Sequence, residues 1–326
     1  MKEIEKMIIS RATELLTSGE VKRVVGWRKG EFLHDPSPAT FETVESLKDF
    51  IYNEFCGANL SKYLIEISKK EGKTAVFLKP CDSYSFNQLL KEHRIKRENV
   101  LVIGIECQGK IDPYKLMTAG VEGIKSFTVN ENDITFDTIY GEKKVSKSMA
   151  LLERCLSCKK TKHAVYDELL VINEKKQGEL DRYMGVANLE KMTSDKKFDF
   201  WKDQLSKCIR CNACRNVCPA CSCIKCVFDN NASGISAKAN DDAFEEQLFH
   251  IIRAYHVSGR CTDCGECSRV CPQRIPLHLL NRKFIKDINE LYGEYQAGET
   301  SEGKHPVIDF TTEDKDPTEA VYKEGK

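Results

Sequence analysis

Two unbroken apolar runs stand out in the first half of the chain, KTAVFLK before Pro80, Cys81 and Asp82, and NVLVIGI before Glu106 and Cys107. Continuous hydrophobicity over so short a span predicts strands buried on both faces of a covered sheet. Both runs end in polar, cysteine-bearing turns. Cys81 and Cys107 are therefore expected where strands end, and open parallel sheets bind ligands beyond those ends. Between the runs, SYSFNQLLKEHRI sets Phe86, Leu89, Leu90 and His93 along one side of a helix opened by Asp82 and Ser83. Further on, GIKSFTVNENDITFDTIYGEKKV alternates apolar and polar residues around NEND, the pattern of a β-hairpin.

In the second half the period becomes helical. DDAFEEQLFHIIRAYHVSGR carries Phe244, Leu248, Ile251, Ile252 and Tyr255 at helical spacing, with Gly259 as its stop. IPLHLLNRKFIKDINELYGEY aligns Leu277, Leu280, Phe284, Ile288 and Leu291 on one face. His256 and His278 fall in these helices as structural residues. No run reaches the roughly 18 apolar residues of a membrane helix. KEIEKMIISRATELL, after Met1, carries acids and lacks a cleavage site of small residues, so it does not read as a signal peptide.

Composition turns these elements into domains. At 326 residues the chain can build two cores. The expected organisation is an α/β, flavin-binding domain at 1–172; an α-helical ferredoxin-like domain with two 4Fe-4S clusters at 173–295; and a polar tail at 296–326. The 50 basic and 50 acidic residues balance, so no global field attracts nucleic acid or anionic lipid. The default is a soluble cytoplasmic protein, where 16 cysteines point to metal rather than to disulfides. GxGxxG and GxxxxGK[ST] are both missing, so any nucleotide is held without a Rossmann fingerprint or a P-loop.

CIRCNACRNVCP (Cys208, Cys211, Cys214, Cys218) is matched by CTDCGECSRVCP (Cys261, Cys264, Cys267, Cys271). In bacterial ferredoxins with this spacing, three close thiolates hold one cubane and the fourth, before proline, holds the other. Cys208, Cys211, Cys214 and Cys271 are thus expected to hold one cluster, and Cys261, Cys264, Cys267 and Cys218 the other. The long helical segment between the repeats resembles the helical ferredoxins of multi-subunit reductases rather than a compact two-cluster ferredoxin.

A surplus remains. Cys221, Cys223 and Cys226 follow the first motif, and LLERCLSCKK adds Cys155 and Cys158. Two CxxC units, Cys155 and Cys158 with Cys223 and Cys226, would make a tetrathiolate site for a third 4Fe-4S cluster or a structural zinc. A rival grouping joins Cys155 and Cys158 to Cys81 and Cys107, leaving Cys221, Cys223 and Cys226 for another role.

The series FCGANLSKYL, KPCDSYSFNQLL, IKRENVLVIGIEC and RCLSCKKTKHAVYDELLV, followed by the paired motifs, resembles the β-subunit family of deazaflavin-reducing hydrogenases and formate dehydrogenases from about Phe55 to Gly293. The ferredoxin pair follows the α/β domain, as in the formate dehydrogenase branch. The resemblance implies an FAD-binding, iron–sulfur electron-transfer subunit working with a formate dehydrogenase, hydrogenase or heterodisulfide-reductase-like partner. A flavin accepts two electrons as a hydride and can release them singly, whereas a cubane carries one at a time, so the two on one chain would couple both kinds of chemistry. The flavin region would include Lys79, Cys81 and Cys107; Lys79 reads either as a charge for the phosphates or as a solvated lysine. The alternative is a flavin-free iron–sulfur wire with no substrate of its own.

Overall fold

A computed structural model describes residues 2–173, 177–230, 232, 243–309 and 311–313. Asp241 and Asp242 of the expected inter-repeat helix lie outside the described residues, as do 310 and 314–326 of the tail. Two compact units emerge, 1–86 with 95–180, and 87–94 with 181–326.

The first unit is built on a five-stranded sheet, fed by helix α1 (Lys2–Thr17), with strands β1 (Arg23–Arg28), β2 (Ser37–Phe41) and β3 (Thr74–Leu78). Helix α2 (Pro80–Lys91) leads to β4 (Val100–Ile105). Strands β5 (Ile124–Val129), β6 (Asp133–Thr138) and β7 (Gly141–Ser146) form a second sheet, and β8 (Glu168–Leu170) returns to the first. The main sheet has the order β2-β1-β3-β4-β8, parallel except for the β1–β2 pair. β3 and β4 are buried at every residue, as their continuous apolar runs require. Ile4, Ile8, Ala12 and Leu15 of α1 recur every three or four residues and are fully buried, so one stripe of that helix faces the core.

Two expectations change. α2 begins at Pro80 rather than at Asp82, because proline at the first helical position has no amide to leave unpaired and a φ already suited to the helix. The hairpin at β5 and β6 gains a third strand, since β6 also pairs with β7. Phe55, Ile111, Leu116, Ile134 and Phe136 form the apolar cluster beneath this small sheet.

The second unit is helical. It contains α3 (Ser194–Ser206), α4 (Ala213–Asn216), α5 (Ala243–His256), α6 (Glu266–Arg269) and α7 (Leu277–Tyr292). Cysteines are part of its core: Cys214, Cys267 and Cys271 pack with Leu205, Phe228, Phe249, Ile275 and Leu277. The face that α5 buries is turned away from the expected one, although Leu248 and Ile252 remain half-buried and Ile252 packs against the core. Phe244 and Tyr255 are 70% and 63% exposed and Ile251 is also exposed, whereas Glu246, Phe249, His250, Arg253, Ala254 and Val257 are buried. On α7 the buried face is centred on Leu277, His278, Asn281, Arg282, Ile285 and Ile288. Of the two structural histidines, His256 is exposed, and His278 Nδ1 lies 2.8 Å from Ser268 Oγ.

Candidate metal centre

Each cysteine motif folds into the same short loop and helical turn. Arg210 and Asn212 of the first motif adopt left-handed backbone conformations, φ 50° and 59°, and Asp263 and Gly265 do so at the matching places of the second, φ 53° and 65°. Alternating handedness turns successive amides to one side of a loop, which makes an anion-binding concavity. The hydrogen bonds repeat as well. Val217 N donates to Ala213 O and Cys218 N to Arg215 O; Val270 N donates to Glu266 O and Cys271 N to Ser268 O. The residue just before the second cysteine is anchored by charge in both loops. Arg210 pairs with Glu246 at 3.5 Å, and Asp263 takes hydrogen bonds from Arg182 and Arg282, both at 2.9 Å.

Cys208, Cys211, Cys214 and Cys271 line one small cavity of ≈ 20 Å³, bordered by Phe249, His250, Ile275 and Leu277. Three close cysteines of the first motif and the last of the second thus share one space. Cys218 packs with Ala220 and Val257, with Cys221 and Cys261 against them. Its charge is felt by Cys261, Cys264 and Cys267.

Burial pushes the thiols of Cys208, Cys261 and Cys267 up to about 12, and Cys264 upward too. Thiols so placed keep their protons at neutral pH unless a cation replaces them. Cys218 moves the other way, because the Cys221 side chain hydrogen-bonds to it and offsets its burial. All-sulfur donor sets behind concave amides fit iron–sulfur clusters, which are held by four thiolates.

Three residues not singled out in the sequence, His250, Glu246 and Arg253, lie by the cysteines, and His250 also lines the cavity. His250 Nε2 lies 3.2 Å from Cys208 Sγ, and burial pushes its imidazole down to about 3, with Arg253 and Arg210 adding to the effect. The ring is therefore neutral. Cys208, Glu246 and His250 bring their donor atoms within 4.8 Å of one another. Arg253 is 4% exposed and donates through Nη2 to Cys214 O at 3.2 Å. A sequence signal existed: Glu246, His250 and Arg253 share a helical face between the two motifs.

The other cysteines divide between the units. Cys223 is exposed and Cys226 half-buried in the second. Cys81, Cys107, Cys155 and Cys158 belong to the first, with Cys107 buried. Gly109, at φ 105°, sits two residues beyond Cys107, and a side chain there would begin 3.8 Å from Cys155 Cβ. Cys56, which sequence reading passed over, is fully buried; desolvation pushes its thiol up to about 11.

At the ends of β3 and β4 two lysines are buried. Lys79 is 1% exposed, bonded to Ala58 O at 2.7 Å and paired with Asp82 at 2.8 Å. It is not a solvated lysine, and its charge is already matched. Its ammonium lies 4.4 Å from the Trp27 ring centroid, and Lys110 Nζ lies 3.9 Å from that of Tyr52. Cys81, Cys107 and Cys56 all act on buried Tyr52, whose phenol is pushed well up, chiefly by burial. A separate open cleft of ≈ 460 Å³ is lined by His34, Tyr114, Leu116, Met117, Val121 and Ile124.

Residues 204–275 match the 4Fe-4S dicluster domain family. The F420-dependent formate dehydrogenase subunit beta of Methanocaldococcus jannaschii is 25% identical over 340 residues, covering 86% of this chain and 88% of that protein. The F420-dependent formate dehydrogenase 1 subunit beta of Methanococcus maripaludis is 25% identical over 279 residues, 66% of this chain and 71% of that one. A chain of the F420-reducing [NiFe] hydrogenase complex from Methanosarcina barkeri aligns over 64% of this chain and 90% of its own, at 14% identity and a TM-score of 0.40. With the KPCD, IEC and CLSC series preceding a 4Fe-4S dicluster domain, the chain is similar, over most of its length, to β subunits of F420-dependent formate dehydrogenases.

Proposed function

We propose that the chain is an electron-transfer subunit of an anaerobic formate dehydrogenase-type or hydrogenase-type complex, with two 4Fe-4S clusters in its second unit and FAD in its first. The observation that carries this reading is the cavity shared by Cys208, Cys211, Cys214 and Cys271, which draws its ligands from both motifs. Cys261, Cys264, Cys267 and Cys218 are the ligands of the second cluster. Bound clusters supply one-electron transfer. The chain's own part is to bury the thiolates, to turn loop amides toward them and to keep water out with Phe249, Ile275 and Leu277.

For a third tetrathiolate site, the placement of Cys155 near Gly109, together with the joint action of Cys81 and Cys107 on Tyr52, favours Cys81, Cys107, Cys155 and Cys158. The grouping of Cys155 and Cys158 with Cys223 and Cys226 is the rival. Replacing Cys81 and Cys107 should remove the third metal under the first grouping, and replacing Cys223 and Cys226 should remove it under the second.

The flavin reading draws on the family and on a cleft whose size falls within that of small-molecule sites. Lys79, matched by Asp82, is a poor phosphate ligand, so its part is to hold the turn carrying Cys81. The partner is a formate dehydrogenase, hydrogenase or heterodisulfide-reductase-like protein. Anaerobic co-purification from the native source, with metal, sulfide and flavin analysis, tests the reading. FAD and a catalytic partner in the eluate are expected; iron without flavin, alone or with the partner, would replace the flavin reading with a simple wire.

A further inference from the structure

α5 buries a cation where an apolar stripe was expected. Arg253 is 4% exposed, and its one hydrogen bond among the described residues goes to a neutral acceptor, the Cys214 carbonyl. Its Nε has no partner, and no carboxylate is ion-paired with it among the described residues. Burying an unpaired guanidinium costs several kcal/mol unless a counter-charge is present. The groups whose charge reaches it are the sulfurs of Cys218, Cys221, Cys267 and Cys214. Cys214 belongs to one proposed ligand set, and Cys218 and Cys267 to the other. Arg253 is thus a single cation that faces both.

We propose that Arg253 is the counter-charge shared by the two cluster sites, a positioning residue that raises the reduction potential of both clusters together. The inference rests on the two-cluster reading above. Four thiolates outweigh the charge of a cubane core, so each site is anionic and becomes more so when it accepts an electron. A fixed cation nearby therefore stabilises the reduced form more than the oxidised one, and net charge is among the factors that set such potentials. His250 differs in kind. It touches one sulfur, Cys208, so its influence belongs to one cluster. Arg210 is paired with Glu246, while Arg182 and Arg282 share the single carboxylate of Asp263.

Redox titration of the full-length, cluster-replete protein, followed by electron paramagnetic resonance, tests this with R253M, R253Q and R253K. In R253M and R253Q the equilibrium constant for reduction should fall on the order of tenfold at both clusters, about 59 mV for one electron. R253K, which keeps the charge, should restore most of the loss. If R253M fails to load iron, the contrast of R253Q with R253K decides. Equal potentials in R253Q and R253K, or a shift at one cluster only, would overturn the shared role. Parent protein carrying two clusters whose potentials ignore residue 253 defeats this inference alone, whereas parent protein carrying fewer than two defeats it together with the two-cluster reading.

Discussion

The two units solve the same problem, how to build a core, with opposite materials. In the first, Val76, Phe77, Leu78, Val102 and Ile103 of adjacent parallel strands are buried with no exposure, and hydrophobic burial suffices. In the second, the centre includes Cys214, Cys267 and Cys271, and the helix that crosses it turns Glu246, His250 and Arg253 inward. Such a core suits the proposed metal clusters, whose charge would complement the buried arginine. One unit is specified by hydrophobic pattern and the other by chemistry.

The largest effect expected from this contrast is on iron removal. Anaerobic chelation should abolish the cooperative unfolding transition of the second unit, because metal binding there is folding free energy. The first unit's transition should survive. Calorimetry combined with hydrogen exchange separates the two, and equal loss of protection in β3 and in α5 would break the comparison.

Cys271→Ala divides the second unit itself. About four irons per chain should be lost, those held with Cys208, Cys211 and Cys214, while the cluster of Cys261, Cys264 and Cys267 remains. Spectra showing the reverse would reject cross-ligation. In the first unit Phe77→Ala should cost about 3–5 kcal/mol of stability through the cavity it leaves. Iron in the second unit's clusters should be unchanged, and the denaturation midpoint and iron assay measure both at once.

His250→Leu removes the ring beside Cys208. An iron-bound thiolate only accepts, so the ring donates; losing that bond is worth about 1 kcal/mol. The potential of the Cys208 cluster should fall while the other stays, in contrast to the paired shift expected at residue 253.

The smallest effect belongs to the first unit's surface. Arg11 donates to both oxygens of Glu168, at 2.8 and 2.7 Å, and holds its carboxyl below the usual range. The depressed carboxyl contributes stability above its unfolded pKa and loses that contribution as pH falls through the folded value. Glu168→Gln should cost about 0.2–1 kcal/mol at neutral pH and flatten the acid limb of stability against pH.

Legibility followed the same divide. β3 and β4 could be read because a doubly buried strand is apolar without interruption. β7 could not, since four of its six residues are exposed and Val145 alone is buried. The motif repeat was plain in the cysteine spacing, and its loops, amides and anchoring charges repeat with it. The orientation of α5 was hidden because periodicity assumes an oily neighbour. Against a cysteine-rich centre the polar face of Glu246, His250 and Arg253 turns inward, leaving Phe244, Ile251 and Tyr255 outside. Lys79 misled for a similar reason, since a buried lysine is legible only with its partner, and Asp82 stands three residues on.

The most direct test of the account is the iron and acid-labile sulfide content of the intact chain, purified without oxygen and fully loaded. Two cubanes predict about 8 irons per chain, and a third all-sulfur cluster about 12, with sulfide matching iron in either case. About 8 irons with one zinc would keep a third tetrathiolate site and change its metal. A value near 4 irons would contradict the two-cluster core, and with it the reason this unit buries cysteines and cations where the other buries strands.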